Sequence, residues 1–389
     1  MIAAKKTLMK AIKAYTSTLE VIKMGVLVCI NMTRTYLQSK GKKGAALVPI
    51  IWGGVGLGKS QVWGQVSKQI DMELVDIRTS DKDPTDIGGL PCPDTDKGQV
   101  RYLQSSQMER VLKQFDSKGN YIPKKRKGCI LLWDEKDRST TEVQNATLQL
   151  DLDRCINGRE LDDDVYVVGA GNADSDMGTT PLSSAAATRL IHFYVDSTSS
   201  AAVKGWQNWA TDQGLPSWSI AFADYRKEIF CGEEVEYTEI TKCTPRTFVW
   251  AIKLIEECHK IGGYATRPEV IKSLVYGTIG SVAGQEALAF RKLKESVPDA
   301  DKIIADPEGV SVPNGADSFG ILYIATQHLV DYAYADGKED TEATRAFVKY
   351  ANRWPDECKG AFFIAALHRG LKVAGLEEFK TWDEERKAA

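Results

Sequence analysis

The chain has 389 residues and a formal net charge of −3 at pH 7, with a sequence pI near 6.0. This length is sufficient for two or three hydrophobic cores, so more than one domain is expected. The charge balance excludes a cationic surface over the whole protein. We interpret the one concentrated basic run, residues 124–127 (KKRK), as a solvated loop before a strand rather than a nucleic-acid contact.

The cysteines and the apolar stretches indicate the compartment. The eight cysteines form no C-x-x-C pair and show no metal-ligand spacing with the four histidines, which predicts free thiols in a reducing environment. The most apolar stretch near the N-terminus, residues 24–32, is too short to span a bilayer and has no small-residue cleavage site nearby. We therefore expect a soluble, cytoplasmic protein that does not contact a membrane.

The N-terminal segment, residues 1–45, is predicted to be helical. Apolar residues recur there at spacings of three and four, the period of one helix face; they are Leu8, Ile12, Tyr15, Leu19 and Ile22. The polar stretch at residues 39–43 (SKGKK) then indicates a linker.

Residues 46–198 alternate short apolar runs with longer polar or helical stretches. Because crossovers separate the runs, we expect a five-stranded parallel sheet covered by helices, an α/β fold. The predicted strands are residues 47–52, 73–77, 129–133, 165–171 and 190–195. Two further segments are predicted as hairpins: residues 155–161, where an Asn-Gly pair suits a type I′ turn, and residues 88–102.

After residue 198 the pattern becomes helical. Pro245 opens one helix, and further helices are predicted within residues 268–296, 317–335, 341–352 and 358–374. From residue 283 onward the sequence carries no chemistry that we can identify.

Residues 53–60 (GGVGLGKS) fit the pattern G-x-x-x-x-G-K-[ST], and the first predicted strand leads directly into them. In such a loop the backbone N–H groups face the phosphates, the lysine reaches the β- and γ-phosphates, and the hydroxyl ligates Mg²⁺. The pattern therefore predicts a nucleoside triphosphate site with Ser60 as a metal ligand. The predicted nucleotide-binding residues are Gly53, Gly54, Val55, Gly56, Leu57, Gly58, Lys59, Ser60 and Gln61.

Residues 129–135 (CILLWDE) predict a buried strand that ends in two carboxylates. An aspartate at this position holds Mg²⁺ through water, and the residue after it polarises the attacking water. We assign the first role to Asp134 and the second to Glu135. The adjacent acids argue against a small-molecule kinase, which need not activate water.

Two other polar residues flank predicted strands. Asn172 follows the strand at 165–171, where its amide is suited to orient water or the γ-phosphate. Arg189 lies just before the last predicted strand, from which it could project toward a neighbouring subunit.

Seven motifs occur in a fixed order over residues 47–260: GGVGLGKS, VDIRTSDKDPTDIGGLP, ILLWDE, QNATLQLDLDR, VVGAGN, ATRLIHF and TPRTF. Together they resemble the MoxR-like branch of the AAA+ ATPases, close to the dynein-related AAA_5 group. The resemblance implies an αβα nucleotide domain, a helical lid at residues 199–282 and a helical C-terminal extension at residues 283–389. It also implies ATP and Mg²⁺ bound at the subunit interfaces of a ring, usually of six subunits.

The resemblance also implies roles for individual residues. Asn172 corresponds to sensor 1, Arg189 to the arginine finger that acts on the neighbouring subunit, and Arg246 to the sensor 2 arginine of the lid. With Glu135 they form the predicted catalytic set. Arg138 is a second candidate for the finger, because many relatives carry an arginine just after the two acids. Relatives often read Asp-Glu-Ile-Asn-Arg there and Leu-Asp before the finger, whereas this chain has Asp-Glu-Lys-Asp-Arg and Ala-Thr.

The resemblance implies an ATPase that remodels or assembles a partner protein, often one with a von Willebrand factor A domain. An ATP-driven nucleic-acid motor or loader is the alternative, supported only by the basic run at residues 124–127. A nucleotide switch that acts as a scaffold without hydrolysis is a third hypothesis, and the intact Glu135 argues against it.

Overall fold

The structure is a computed structural model that describes residues 16–17, 19–41, 46–172, 182, 184–195, 200–227, 241–335 and 339–388. The chain divides into two compact units, residues 1–197 and residues 198–389.

The first unit contains twelve strands and six α-helices among the described residues. In chain order they are β1 (Thr16–Ser17), α1 (Leu19–Gln38), β2 (Val48–Gly53), α2 (Lys59–Gln69), β3 (Glu73–Arg78), α3 (Pro84–Gly88), β4 (Leu90–Asp94), β5 (Gln99–Leu103), α4 (Ser106–Glu109), β6 (Gln114–Phe115), β7 (Tyr121–Ile122), β8 (Cys129–Asp134), α5 (Thr141–Asp153), β9 (Cys155–Ile156), β10 (Arg159–Glu160), β11 (Val165–Asn172), α6 (Ser184–Ala187) and β12 (Leu190–Val195).

The central sheet is parallel, with strand order β1-β12-β2-β11-β8-β3. All five predicted strands are present, so the predicted five-stranded parallel sheet is confirmed. The sixth strand, β1, differs from the helix predicted there, because Thr16 and Ser17 pair with the edge of β12. Helix α1 begins only at Leu19, and the predicted apolar positions at residues 8, 12 and 15 lie outside the described residues.

Helices cover both faces of this sheet because the central strands carry apolar side chains on each face. Every residue of β2, β8 and β11 is buried. Leu131 and Trp133 of β8 pack in one core with α5, whereas Ile130 and Leu132 pack in another with α1 and α2. This continuous burial is expected of a parallel sheet between two helical layers and produces the αβα arrangement.

Both predicted hairpins are confirmed. Strands β9 and β10 pair antiparallel around Asn157 and Gly158, whose φ angles of 47° and 78° are the two positive values that a type I′ turn requires. Strands β4 and β5 form the second hairpin, over residues 90–103.

The basic run lies in the loop before β8 as predicted, but two of its side chains have internal partners. Arg126 bonds both carboxylate oxygens of Asp164 at 2.7 and 2.8 Å and one oxygen of Glu73 at 2.8 Å. Lys124 donates to the backbone carbonyls of Glu109 and Leu112. The prediction of a solvated run is therefore wrong for these two residues: Arg126 joins the segments that lead into β8 and β11 to the start of β3.

The second unit contains helices and no strand among its described residues, as predicted. Its helices are α7 (Ser200–Asp212), α8 (Ser217–Tyr225), α9 (Pro245–Ile261), α10 (Pro268–Ile279), α11 (Ser281–Lys292), α12 (Ala300–Ala305), α13 (Ser318–Ala333), α14 (Thr341–Ala351), α15 (Asp356–Arg369) and α16 (Glu377–Ala388). The helical stretch predicted at residues 268–296 is divided, because Gly280 has a φ of 85° and separates α10 from α11.

Two apolar cores occupy this unit. The first includes Phe222, Phe248 and Phe290, and the second includes Phe347 and Phe363. Helix α13 contributes to both cores. No helix among the described residues combines the length and the apolar character needed to cross a bilayer. The seven cysteines that lie in the described ranges are free thiols, as predicted.

Candidate nucleotide and hydrolysis site

The phosphate-binding loop joins β2 to α2. Gly56 and Gly58 have φ angles of 81° and 86°, values that side-chain-bearing residues rarely adopt. Helix α2 begins at Lys59 directly after the loop, so the N–H groups of its first turn lie at this turn of the chain. The glycines therefore create the backbone curvature and helix N-terminus that a phosphate cradle requires.

The Lys59 ammonium group lies inside the loop and is held by oxygen atoms. Its Nζ donates to the carbonyls of Gly53 and Gly54 at 2.9 and 2.8 Å and to Oδ1 of Asn172 at 2.8 Å. Only 9% of the residue is exposed. The predicted phosphate-binding lysine and the predicted sensor asparagine are thus in direct contact, although 113 positions separate them in the chain.

Ser60 and Asp134 form the candidate metal-binding pair. The Ser60 hydroxyl donates to Oδ2 of Asp134 at 2.8 Å. The buried Thr79 hydroxyl donates to the Asp134 backbone carbonyl at 2.9 Å and fixes the end of β8 against β3. A hydroxyl and a carboxylate are oxygen ligands of the kind that Mg²⁺ takes from a protein when phosphates and water complete its shell, so the pair fits the ion.

Glu135 lies just beyond β8, in an uncommon backbone conformation for a non-glycine residue, with a φ of 53°. Its Oε2 accepts a hydrogen bond from the Ser80 hydroxyl at 2.5 Å. Its Oε1 lies 3.6 Å from Nε of Arg78. The predicted general base is therefore held from the end of β3, and the sequence analysis did not single out either partner.

A third carboxylate, on Asp76 of β3, lies in the same electrostatic environment. Burial raises its pKa, and the negative charges of Asp134 and Glu135 raise it further, while Arg78 lowers it. Three acidic residues, Asp76, Asp134 and Glu135, therefore lie toward the carboxyl ends of β3 and β8.

Asn172 is buried at the end of β11 and has a second partner besides Lys59. Its backbone N–H donates to Oδ1 of Asp137 at 2.8 Å, and its side-chain Nδ2 donates to Oδ2 at 3.3 Å. Burial raises the pKa of Asp137, although the hydrogen bonds from Asn172 oppose the shift.

Within the first unit, the structure does not bring Arg189 or Arg138 into this group. Arg189 is exposed and precedes β12, whose first residue pairs with Val48 at the start of β2. The loop begins at Gly53, five residues further along β2, or roughly 16 Å at the usual rise per residue. Arg138 is exposed in the turn after Glu135. Arg246 is exposed at the start of α9 in the second unit, and its predicted role stays a prediction.

His192 connects the strand that precedes the loop to the turn that carries Arg189. Its Nδ1 accepts a hydrogen bond from the Trp52 indole N–H at 2.8 Å, and its Nε2 lies 2.8 Å from the carbonyl of Ala187. Because a carbonyl can only accept, the ring proton belongs on Nε2. The two rings also stack, with centroids 5.9 Å apart.

The sequence analysis missed Ser80, Asp137 and His192. The sequence did contain a signal for Ser80. This residue closely follows the predicted strand at 73–77, and polar residues at the carboxyl ends of neighbouring parallel strands converge. The contact depends on register, because Arg78 pairs with Asp134 and so places Ser80 near Glu135. Apolar runs alone do not fix that register.

No known family model matches the chain, and no curated protein matches its sequence. Among solved structures, a provisionally named ATPase from Cytophaga hutchinsonii is 15% identical with a TM-score of 0.32, covering 75% of this chain and 92% of its own. One point mutant of Thermotoga maritima RuvB is 12% identical with a TM-score of 0.37, covering 86% of this chain and 96% of its own. A second point mutant of the same protein is 13% identical with a TM-score of 0.38, covering 86% and 95%. Likenesses at these values do not establish a family or a function.

Proposed function

We propose that this chain binds ATP with Mg²⁺ and hydrolyses it. The observation that carries the proposal is the placement of five side chains at one edge of the sheet: Lys59 bonds Asn172, Ser60 bonds Asp134, and Glu135 directly follows Asp134. They come from the ends of two neighbouring strands, β8 and β11, and the start of helix α2, and each has the chemistry that phosphoryl transfer to water requires.

Binding uses the loop and the lysine. The backbone N–H groups at the start of α2 would face the phosphate oxygens, and the Lys59 ammonium would exchange its carbonyl partners for the β- and γ-phosphates. The anionic oxygens are stronger acceptors than the carbonyls they replace. Lys59 therefore supplies binding energy and charge neutralisation together.

Hydrolysis uses the residues at the end of β8. Ser60 and Asp134 would hold Mg²⁺, which when bound supplies positive charge beside the β- and γ-phosphates. Glu135 would accept a proton from the attacking water once its carboxylate is directed toward the phosphate. The Ser80 hydroxyl bonds one of its oxygens at 2.5 Å, so Ser80 and water would compete for this base.

In finer detail, we propose an AAA+ ATPase of the MoxR-like type that forms a ring of six subunits and remodels or assembles a partner protein, such as one with a von Willebrand factor A domain. The motif order supports this proposal. The exposed position of Arg189 supports action in trans, because that residue lies near the opposite end of the parallel strands from its own phosphate loop. In a ring, the helical region at 199–282 would serve as the lid that carries Arg246.

The nucleic-acid motor remains the alternative, but the structure removes part of its support. Lys124 and Arg126 already have internal partners, which leaves Lys125 and Lys127 as the exposed cations of that run. Lys127 in turn pairs with Asp71. A surface that neutralises several phosphates needs more unpaired cations than this run provides.

The proposal is tested with two variants that separate binding from hydrolysis. Lys59→Ala should abolish ATP binding, measured by calorimetry, because it removes the charge-assisted phosphate contact. Glu135→Gln should bind ATP but hydrolyse it at least about a hundredfold more slowly, because the amide keeps the shape of the side chain and loses the base. The matched controls are Lys68→Ala on the exposed face of α2 and Glu142→Gln on the exposed face of α5, which should change neither property.

Two outcomes would contradict the proposal. One is ATP turnover by Glu135→Gln at the rate of the unsubstituted protein. The other is binding of ATP to Lys59→Ala with unchanged affinity. Turnover that rises severalfold with DNA or RNA, and that is lost at higher salt, would favour the motor alternative.

A further inference from the structure

Asp137 is a buried carboxylate to which the proposed function assigns no role. It lies in the turn after Glu135 and is 2% exposed. Its two oxygens accept from the backbone N–H and the side-chain Nδ2 of Asn172. Burying a carboxylate is unfavourable unless hydrogen bonds compensate, so the pairing with Asn172 accounts for its stability at this position.

The opposite end of the Asn172 side chain faces a positive charge. Its Oδ1 accepts from Lys59 Nζ at 2.8 Å, while its Nδ2 donates to Asp137 at 3.3 Å. A carboxylate can only accept and an ammonium can only donate. The amide is therefore held in one of its two orientations by charges of opposite sign at its two ends.

The backbone beside Asn172 is adapted to this arrangement. A Cβ atom added to Gly171 would lie 3.0 Å from Oδ1 of Asp137 and 2.5 Å from the Trp52 ring. A side chain at position 171 would therefore displace the carboxylate or the indole. Glycine leaves the space in which Asp137 reaches both N–H groups of Asn172.

We propose that Asp137 is a positioning residue for hydrolysis: it fixes the Asn172 amide so that its carbonyl oxygen faces Lys59 and the γ-phosphate side of the site. This inference rests on the proposed ATPase function. A fixed carbonyl oxygen can accept a hydrogen bond from the attacking water and orient it, whereas an amide that rotates presents donor and acceptor alternately.

The test uses Asp137→Asn, which keeps the volume of the side chain and replaces one acceptor with a donor. That donor would face Nδ2 of Asn172 and favour rotation of the amide. We expect kcat to fall by roughly tenfold to a hundredfold, the range typical of misoriented catalytic groups, while the affinity for ATP changes by less than about threefold. Asp153→Asn, at an exposed aspartate on α5, is the matched control and should leave both quantities unchanged.

A double-mutant cycle shows whether Asp137 acts through Asn172. In an Asn172→Ala background, Asp137→Asn should lower kcat by no further measurable factor, because the group that it positions is absent. An equal fall in kcat in both backgrounds would overturn the proposal. An unchanged kcat in the single variant would also overturn it.

If Asp137→Asn does not fold, a measurement on the unsubstituted protein tests whether the Asn172 amide is fixed. With selective ¹⁵N-asparagine labelling, the Asn172 side-chain amide protons should exchange with solvent much more slowly than those of exposed asparagines. Exchange as fast as that of an exposed asparagine would overturn the proposal. Absence of ATP turnover in the unsubstituted protein would instead contradict the proposed ATPase function. The experiments therefore distinguish failure of the Asp137 proposal from failure of the proposed function.

Discussion

The Ser80 hydroxyl donates a hydrogen bond to Oε2 of Glu135 at 2.5 Å, between residues 55 positions apart in the chain. The parallel register of β3 and β8 creates this contact, because Arg78 pairs with Asp134 and both strands end at the same edge. Arg78 approaches the other oxygen of Glu135 at 3.6 Å. The candidate base is therefore restrained by residues at and just after the end of β3 rather than by the nucleotide loop.

Ser80→Ala should raise the basal rate of ATP hydrolysis. Removal of the hydroxyl frees an oxygen of Glu135 to accept from water, and hydrogen bonds to charged groups contribute about 1.5–3 kcal/mol. A release of about 1.4 kcal/mol would correspond to about a tenfold higher kcat. The measurement is steady-state turnover at saturating ATP, with Ser80→Thr as the variant that retains the hydroxyl. A fall in kcat for Ser80→Ala would show that Ser80 orients the base instead of restraining it.

The sheet and the phosphate loop could be predicted from sequence because their signals are local. Each central strand is a short apolar run, and the loop pattern directly follows one of them. The residues that orient the site could not be predicted in this way. Asp137 contacts Asn172 across 35 positions, and whether an acid after Glu135 faces inward depends on the turn that follows β8.

The partners of the basic run at residues 124–127 also could not be predicted from the sequence. Four consecutive cationic residues are typical of a solvated stretch. The sequence alone does not show which carboxylates lie close to them. Asp164 and Glu73 are 38 and 53 positions from Arg126, and only the parallel sheet brings them together. The N-terminal segment departs from the predicted helix for a related reason. Thr16 and Ser17 pair with the edge of β12, and this tertiary contact outweighs the local helical periodicity.

Arg189 should act on the active site of a neighbouring subunit. Arg189→Ala alone should be inactive, and so should Lys59→Ala alone. Mixed assemblies of the two should recover turnover, because some interfaces would combine an intact phosphate loop with an intact arginine. The same mixing experiment with Arg138→Ala distinguishes the two candidate fingers. Demonstrably mixed assemblies that show no recovery with Arg189→Ala would exclude its action in trans.

Arg126 and Lys125 should differ in their effect on stability although they are adjacent cations. Arg126→Met leaves the Asp164 and Glu73 carboxylates without their shared partner at the start of three strands, and loss of one partner from such a group destabilises by roughly 2–4 kcal/mol. Lys125→Met removes an exposed charge and should change the free energy of unfolding by less than about 0.5 kcal/mol. Urea denaturation of both variants provides the comparison. Equal stability of the two variants would contradict the structural role of Arg126.

The Trp52 and His192 side chains should be energetically coupled. Replacement of His192 by Phe keeps an aromatic ring but leaves the buried indole N–H without an acceptor, a loss of about 1–3 kcal/mol. In a Trp52→Phe background the same replacement leaves no donor unpaired, so its effect on stability should be smaller. Chemical denaturation of the four proteins in this cycle should therefore give a coupling energy of about 1–2 kcal/mol. A coupling energy near zero would mean that stacking alone, rather than the hydrogen bond, joins the strand before the phosphate loop to the turn that carries Arg189.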